Sequence, residues 1–106
     1  MAEIKFTDQS IEDLREIAGY ISRDSVFYAE LHIQKLINRI DILVNFPHIG
    51  RIVPELNSKS VREIIEGNYR IIYKVVNKDM LHILTFHHSR KKLKGTVIKN
   101  VIKKNK

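Results

Sequence analysis

Apolar positions change their period midway along the chain. Residues 2–7, AEIKFT, alternate apolar and polar and predict a short strand. Ile11, Leu14, Ile17, Ala18 and Ile21 then recur every three or four residues, the mark of one helical face. Thr7 or Asp8 supplies a side-chain oxygen for the free N–H groups of that helix's first turn. Asp24-Ser25 interrupts the pattern and offers a second cap. Ala29, Ile33, Leu36, Ile40 and Leu43 continue in steps of three and four, widened by Ile37 and Val44, until Pro47 and Gly50 end the run. The first half therefore predicts a strand and a helical hairpin, with helices over 11–21 and 26–45.

After Gly50 the runs shorten and become rich in Ile, Val, Tyr and Phe. Val61–Glu66, Tyr69–Val76 and Leu81–His88 read as strands, separated by the two-residue turn Gly67-Asn68 and by Asn77-Lys78-Asp79. They predict a three-stranded antiparallel meander. Val97, Ile98, Val101 and Ile102 then place apolar residues on one side of a short amphipathic helix with lysines opposite, and Gly95-Thr96 precedes it as a cap. The fold class expected is α+β in the order β-α-α-β-β-β plus a small C-terminal helix. All 106 residues form one domain, with 96–106 as a basic helix or tail.

Charge changes the picture at the C-terminus. Residues 1–88 hold 11 Lys and Arg against 12 Asp and Glu, a net of −1. Residues 89–106 hold eight basic residues and no acid, so the excess of +7 is concentrated there. Such a block suits a polyanion or an acidic protein partner, and it also serves as a solvated tail. The absence of cysteine excludes disulfides, thiolate nucleophiles and Cys-based zinc sites. His32, His48, His82, His87 and His88 show no metal-ligand spacing, so no metal or other cofactor is expected. No signal-like N-terminal stretch and no bilayer-length apolar run is present, so a cytoplasmic protein without membrane contact is expected. The pattern sets no oligomeric state.

Several segments in order carry a resemblance: Ile17-Ala18-Gly19-Tyr20-Ile21, Phe46-Pro47-His48-Ile49-Gly50-Arg51, Val53-Pro54-Glu55, Val61-Arg62-Glu63, Gly67-Asn68-Tyr69-Arg70-Ile71-Ile72-Tyr73, and Ile83-Leu84 leading to His87-His88-Ser89-Arg90. Over nearly its full length the chain resembles the RelE/ParE toxins of bacterial type II toxin–antitoxin pairs. The resemblance implies a compact α+β domain with a basic sheet face, and a cognate antitoxin that wraps it and neutralises it.

Two functions follow from that resemblance, one enzymatic and one not, and a non-toxic nucleic-acid-binding domain is a third reading behind them. A RelE-like toxin is a metal-independent endoribonuclease that cuts mRNA on the ribosome. Arg70 matches the arginine of G-x-Y-R, and Arg90 matches the arginine after the last strand. The RelE tyrosine would fall near Thr96, and the two lysines of the first meander strand are absent, with Arg62 the nearest basic residue there. Branches similar to YoeB and HigB use a C-terminal histidine, a role open to His87 or His88. A ParE-like toxin inhibits DNA gyrase without catalysis and lacks the full nuclease set. The missing tyrosine and lysines favour this second reading.

In either case Arg62, Arg70, Arg90, Lys91, Lys92 and Lys94 are the candidate target-binding residues. Arginines suit phosphate because each is permanently charged and planar. Paired as a meander, the strands would bring Arg62, Arg70 and Arg90 toward one region of the sheet. As plain structure, Arg62 has Glu66 on its own strand face as a partner, and Arg70 reads as a surface ion pair. Val97, Ile98, Val101 and Ile102 are the candidate antitoxin-binding face.

Overall fold

The structure is a computed structural model that describes residues 1–104; Lys106 of the basic tail lies outside the described residues. Elements follow in the order β1 (Glu3–Phe6), α1 (Asp8–Ser22), α2 (Val26–Ile40), α3 (Ile42–Asn45), β2 (Arg51–Ile52), β3 (Val61–Glu66), β4 (Tyr69–Asn77), β5 (Met80–His88) and α4 (Gly95–Lys104). The expected α+β class and element order hold. The sheet has five strands in the order β1-β5-β4-β3-β2, so the antiparallel meander is flanked by two short strands. β1 pairs with β5 in parallel, the helical hairpin forming the crossover between them.

Local chemistry sets the element ends. Thr7 caps α1, its hydroxyl oxygen accepting from the Ser10 N–H, and Ser25 caps α2 in the same way through the Tyr28 N–H. The long second helix expected over 26–45 is divided at Asp41. There the Asp41 N–H bonds back three residues to the Asn38 carbonyl, and the Val44 N–H bonds three back to Asp41. These tighter bonds interrupt the α-helical pattern and leave α3 as one separate turn. At the β3–β4 turn Gly67 has φ +57°. Asn68 is not left-handed, as in the hairpin turn that asks for glycine at its first central position only.

Alternation along the strands divides the core in two. On one face Ile64, Ile71, Tyr73, Leu81, Ile83 and Phe86 pack on Ile17 of α1, Leu36 and Ile40 of α2, and Leu43 of α3. On the other, Val53, Val61, Ile72 and Leu84 form a smaller apolar floor, closed by Leu93 and by Ile98 and Val101 of α4. The sheet is thus covered on both sides. Among the described residues, no helix is long and apolar enough to cross a membrane.

Candidate functional site: a neutralised arginine cluster and the end of the last strand

Glu63 lies on β3 in the same row as Val61 and is 1% exposed. A carboxylate in an apolar row needs cations, and it has two. Arg51, its register partner on β2, donates through Nε to Glu63 Oε2. Arg70 of β4 donates through Nε to Glu63 Oε1 at 2.5 Å. The rest of the Arg70 fork meets Glu55, Nη1 and Nη2 each donating to one carboxylate oxygen at 2.8 Å. Each nitrogen of Arg70 therefore faces a carboxylate, and its side chain is 11% exposed. Two cations and two anions balance, so the sheet face at Arg70 is neutral, where the resemblance implied a basic one.

The bidentate pair fixes proton affinities. The Arg70 guanidinium holds the Glu55 carboxyl down to about 2, from an ordinary 4.5, and the two carboxylates raise Arg70. Because the folded value of Glu55 is depressed, its contribution to stability is complete above pH 4.5 and is lost as pH falls toward 2. Glu55→Gln should accordingly flatten the melting temperature against pH across that window. An unchanged slope would show that the pair contributes nothing.

Arg62 stands apart from this cluster, contrary to the expectation that Arg62 and Arg70 converge. A two-residue turn makes Glu66 the partner of Tyr69, and hence Arg62 the partner of Tyr73 and Arg70 that of Ile65. Residues of opposite parity on β3 and β4 thus share a face, which sends Arg62 to the helical-hairpin side and Arg70 to the α4 side. Nor does Arg62 pair with Glu66. Its Nη1 donates to the carbonyls of Gly50, at 2.9 Å, and His48, at 3.3 Å. It braces the loop that precedes β2.

That loop explains the P-x-x-G-R segment. The Gly50 N–H donates to the buried Tyr73 hydroxyl at 3.0 Å. A Cβ at Gly50 would lie 2.6 Å from both that oxygen and the Glu63 carbonyl. Backbone cannot yield as a flexible side chain does. Gly50→Ala should cost about 1–3 kcal/mol, the usual penalty of overpacking; a melting temperature equal to that of the parent protein would refute this close fit.

The remaining candidates gather at the end of β5. The His87 ring nitrogen Nε2 lies 2.9 Å from the Lys91 carbonyl, and His88 Nδ1 accepts from the Arg90 N–H at 3.1 Å. Both contacts shape the turn that carries Arg90, Lys91 and Lys92 into solvent. His88 also meets the edge of Tyr69, its register partner, with ring centroids 5.2 Å apart. His87 is the register partner of Arg70, but Arg70 is committed to carboxylates. Lys94 is exposed between the buried Leu93 and the start of α4. Of the apolar α4 residues, Ile98 and Val101 are buried on the sheet, Ile102 packs at the rim, and Val97 is 49% exposed. Among the described residues no cluster of three or more histidine or acidic side chains is arranged to hold a metal ion.

Glu55 and Glu63 are the participants that sequence reasoning passed over. The signal for Glu63 is its place in the Val61 row, next to a hairpin partner strand that carries Arg70 among isoleucines. Glu55 leaves no such signal, because it sits in a loop with no period.

The comparisons agree with this architecture. Among curated proteins, none matches the chain. A solved structure described as the chromosomal ParDE toxin–antitoxin system from P. aeruginosa contains a chain of the same fold. The TM-score is 0.67 and the identity 19%, covering 83% of this chain and 96% of that one. A family model described as the ParE toxin of the type II toxin–antitoxin system parDE matches residues 4–93, from β1 to the foot of α4. The chain belongs to the ParE toxin family.

Proposed function

We propose that this protein arrests bacterial growth as a ParE-like inhibitor of DNA gyrase in the cytoplasm, without catalysing a reaction. The occupied guanidinium of Arg70 carries this reading. A nuclease needs an arginine free to meet the phosphorane, and here the arginine that matches the RelE position is spent on Glu55 and Glu63. Arg70 is then a positioning residue, and the target-facing charge is the exposed run Arg90, Lys91, Lys92 and Lys94. Arg62 supports the neighbouring loop rather than the target. In a supercoiling assay the purified protein should leave relaxed plasmid relaxed. Reversing the four basic residues to glutamate should weaken that effect by about 10-fold or more, as loss of several charge contacts to a DNA-bound target would. Supercoiling at the normal rate, together with mRNA cut only in the presence of ribosomes, would replace this reading by the RelE-like one. His87, His88 and Arg90 would then be the residues that move protons and meet phosphate.

Family membership also supports a cognate antitoxin. We place its amphipathic segment along the hairpin of α1 and α2, with acidic residues covering the 90–94 run and a contact to the α4 face of Val97, Ile98, Val101 and Ile102. Ending the chain before Gly95 tests the α4 part. Antitoxin affinity and growth arrest both unchanged would remove it.

A further inference from the structure

A groove of about 890 Å³ between α1 and the end of β5 joins His88, Arg90 and Lys91 to a wall of α1 that has had no role so far. Its size suits a small ligand. One wall is α1, with Glu16, Tyr20 and Arg23; the other is the sheet end, with Tyr69, His88, Arg90 and Lys91. Tyr20 is 72% exposed, and the Arg23 guanidinium lies 5.9 Å from its ring centre. Tyr69 and His88 meet edge to face, and His32 braces Tyr69 from behind with centroids 5.4 Å apart. Arg23, Arg90 and Lys91 form no salt bridge among the described residues, whose cations in ion pairs are Arg15, Arg51 and Arg70. Of the acids on the α1 wall, Asp13 already accepts from the Thr85 hydroxyl and the Phe86 N–H. Glu16 is exposed and makes no ion pair among the described residues.

We propose that this groove binds a nucleotide, its base against Tyr20 and the Tyr69–His88 pair, its phosphate at Arg23, Arg90 and Lys91, and its N–H edge toward Glu16. Each part answers one part of the ligand. Aromatic faces stack any base. Free arginine and lysine meet phosphate oxygens. A carboxylate accepts from the amino and imino groups of a base edge. A bare polyanion has no use for the rings and is repelled by Glu16, whereas an apolar helix has no use for three unpaired cations. The nucleotide can be free, or it can be an unpaired residue of a nucleic-acid strand. The site stands whether or not gyrase is the target, since binding and supercoiling are separate readouts.

The test uses the full chain with two probes: GMP by calorimetry, and a 5′-fluorescein-labelled single strand of about ten nucleotides by anisotropy. At least one probe should bind saturably at one site. Tyr20→Ala and Arg23→Ala should each weaken it by about 5-fold or more. Lys103→Ala, a charge control on α4, should change it less than about 2-fold. Tyr20 and Arg23 are both exposed, so unchanged melting of these variants is expected and is checked alongside. Binding of GMP identifies a free nucleotide as a sufficient ligand; binding of the strand alone identifies nucleic acid as the source. No saturable binding of either probe, or a loss with Lys103→Ala equal to that with Tyr20→Ala, overturns the proposal.

Discussion

Glu63→Ala is expected to lower the unfolding free energy by about 3–5 kcal/mol, the range for stripping one member from a buried ion pair. For a chain of this length that is a drop in melting temperature of roughly 12 °C or more. The cost arises less from the attraction lost than from the cation left behind. Arg70 is 9% exposed and would keep Glu55 but face an empty, apolar space where Glu63 stood. Arg51 suffers little, since its side chain is 64% exposed and water can replace the carboxylate. The double variant Glu63→Leu with Arg70→Met should therefore be more stable than Glu63→Ala alone, because it removes both buried charges and fills the space. Thermal or urea unfolding of the three proteins decides the matter. A melting temperature for Glu63→Ala within about 3 °C of the parent would refute the bridging role. The same experiment bears on function, because growth arrest that disappears in Arg70 variants only as folding does belongs to a positioning residue.

Ile98→Asp is expected to release α4 from the sheet. Ile98 is fully buried against the floor made by Val53, Val61, Ile72 and Leu84. An unpaired carboxylate cannot stay there, and separation of the helix costs less than burial of the charge. About 3 kcal/mol or more of stability should be lost, as for deletion of a large apolar side chain from a core. Hydrogen exchange gives the direct readout. The amides of α4 should lose protection, while those of β3, β4 and β5, held by the hairpin-side core, should keep theirs. Binding of an apolar dye to the uncovered floor should rise. Protection of α4 equal to that in the parent protein would show that its docking does not depend on Ile98. Gly95 is the first residue of this helix. A Cβ there would lie 3.1 Å from the Glu55 carbonyl, so the loop that Arg70 holds through Glu55 is also the ledge on which α4 begins.

Periodicity in the sequence was enough for the two main helices, the three meander strands and the C-terminal helix; of the caps offered, Thr7 or Asp8 and Asp24 or Ser25, the structure uses Thr7 and Ser25, while Gly95 and Thr96 lie inside α4 and do not precede it. These elements depend on contacts a few residues apart, and a repeat of two or of 3.6 reports such contacts directly. The β3–β4 register was equally local. Gly67-Asn68 as a two-residue turn already implies that Arg62 and Arg70 lie on opposite faces, and the row of Val61 already implies that Glu63 is buried.

The tertiary structure decided what depends on chain path. β1 lies parallel beside β5, some 77 residues away through the Thr7–Leu84 bond, and nothing in either strand names its neighbour. Glu55 reaches Arg70 from an aperiodic loop, which converts a candidate phosphate ligand into half of an internal ion pair. Residues 16–23 and 88–91 carry no shared pattern, yet they face each other across one groove. Local repeats state which side of an element is apolar. Only the packing of distant elements states which charges are engaged: Arg70 is spent on Glu55 and Glu63, whereas Arg23, Arg90 and Lys91 of the groove form no salt bridge among the described residues.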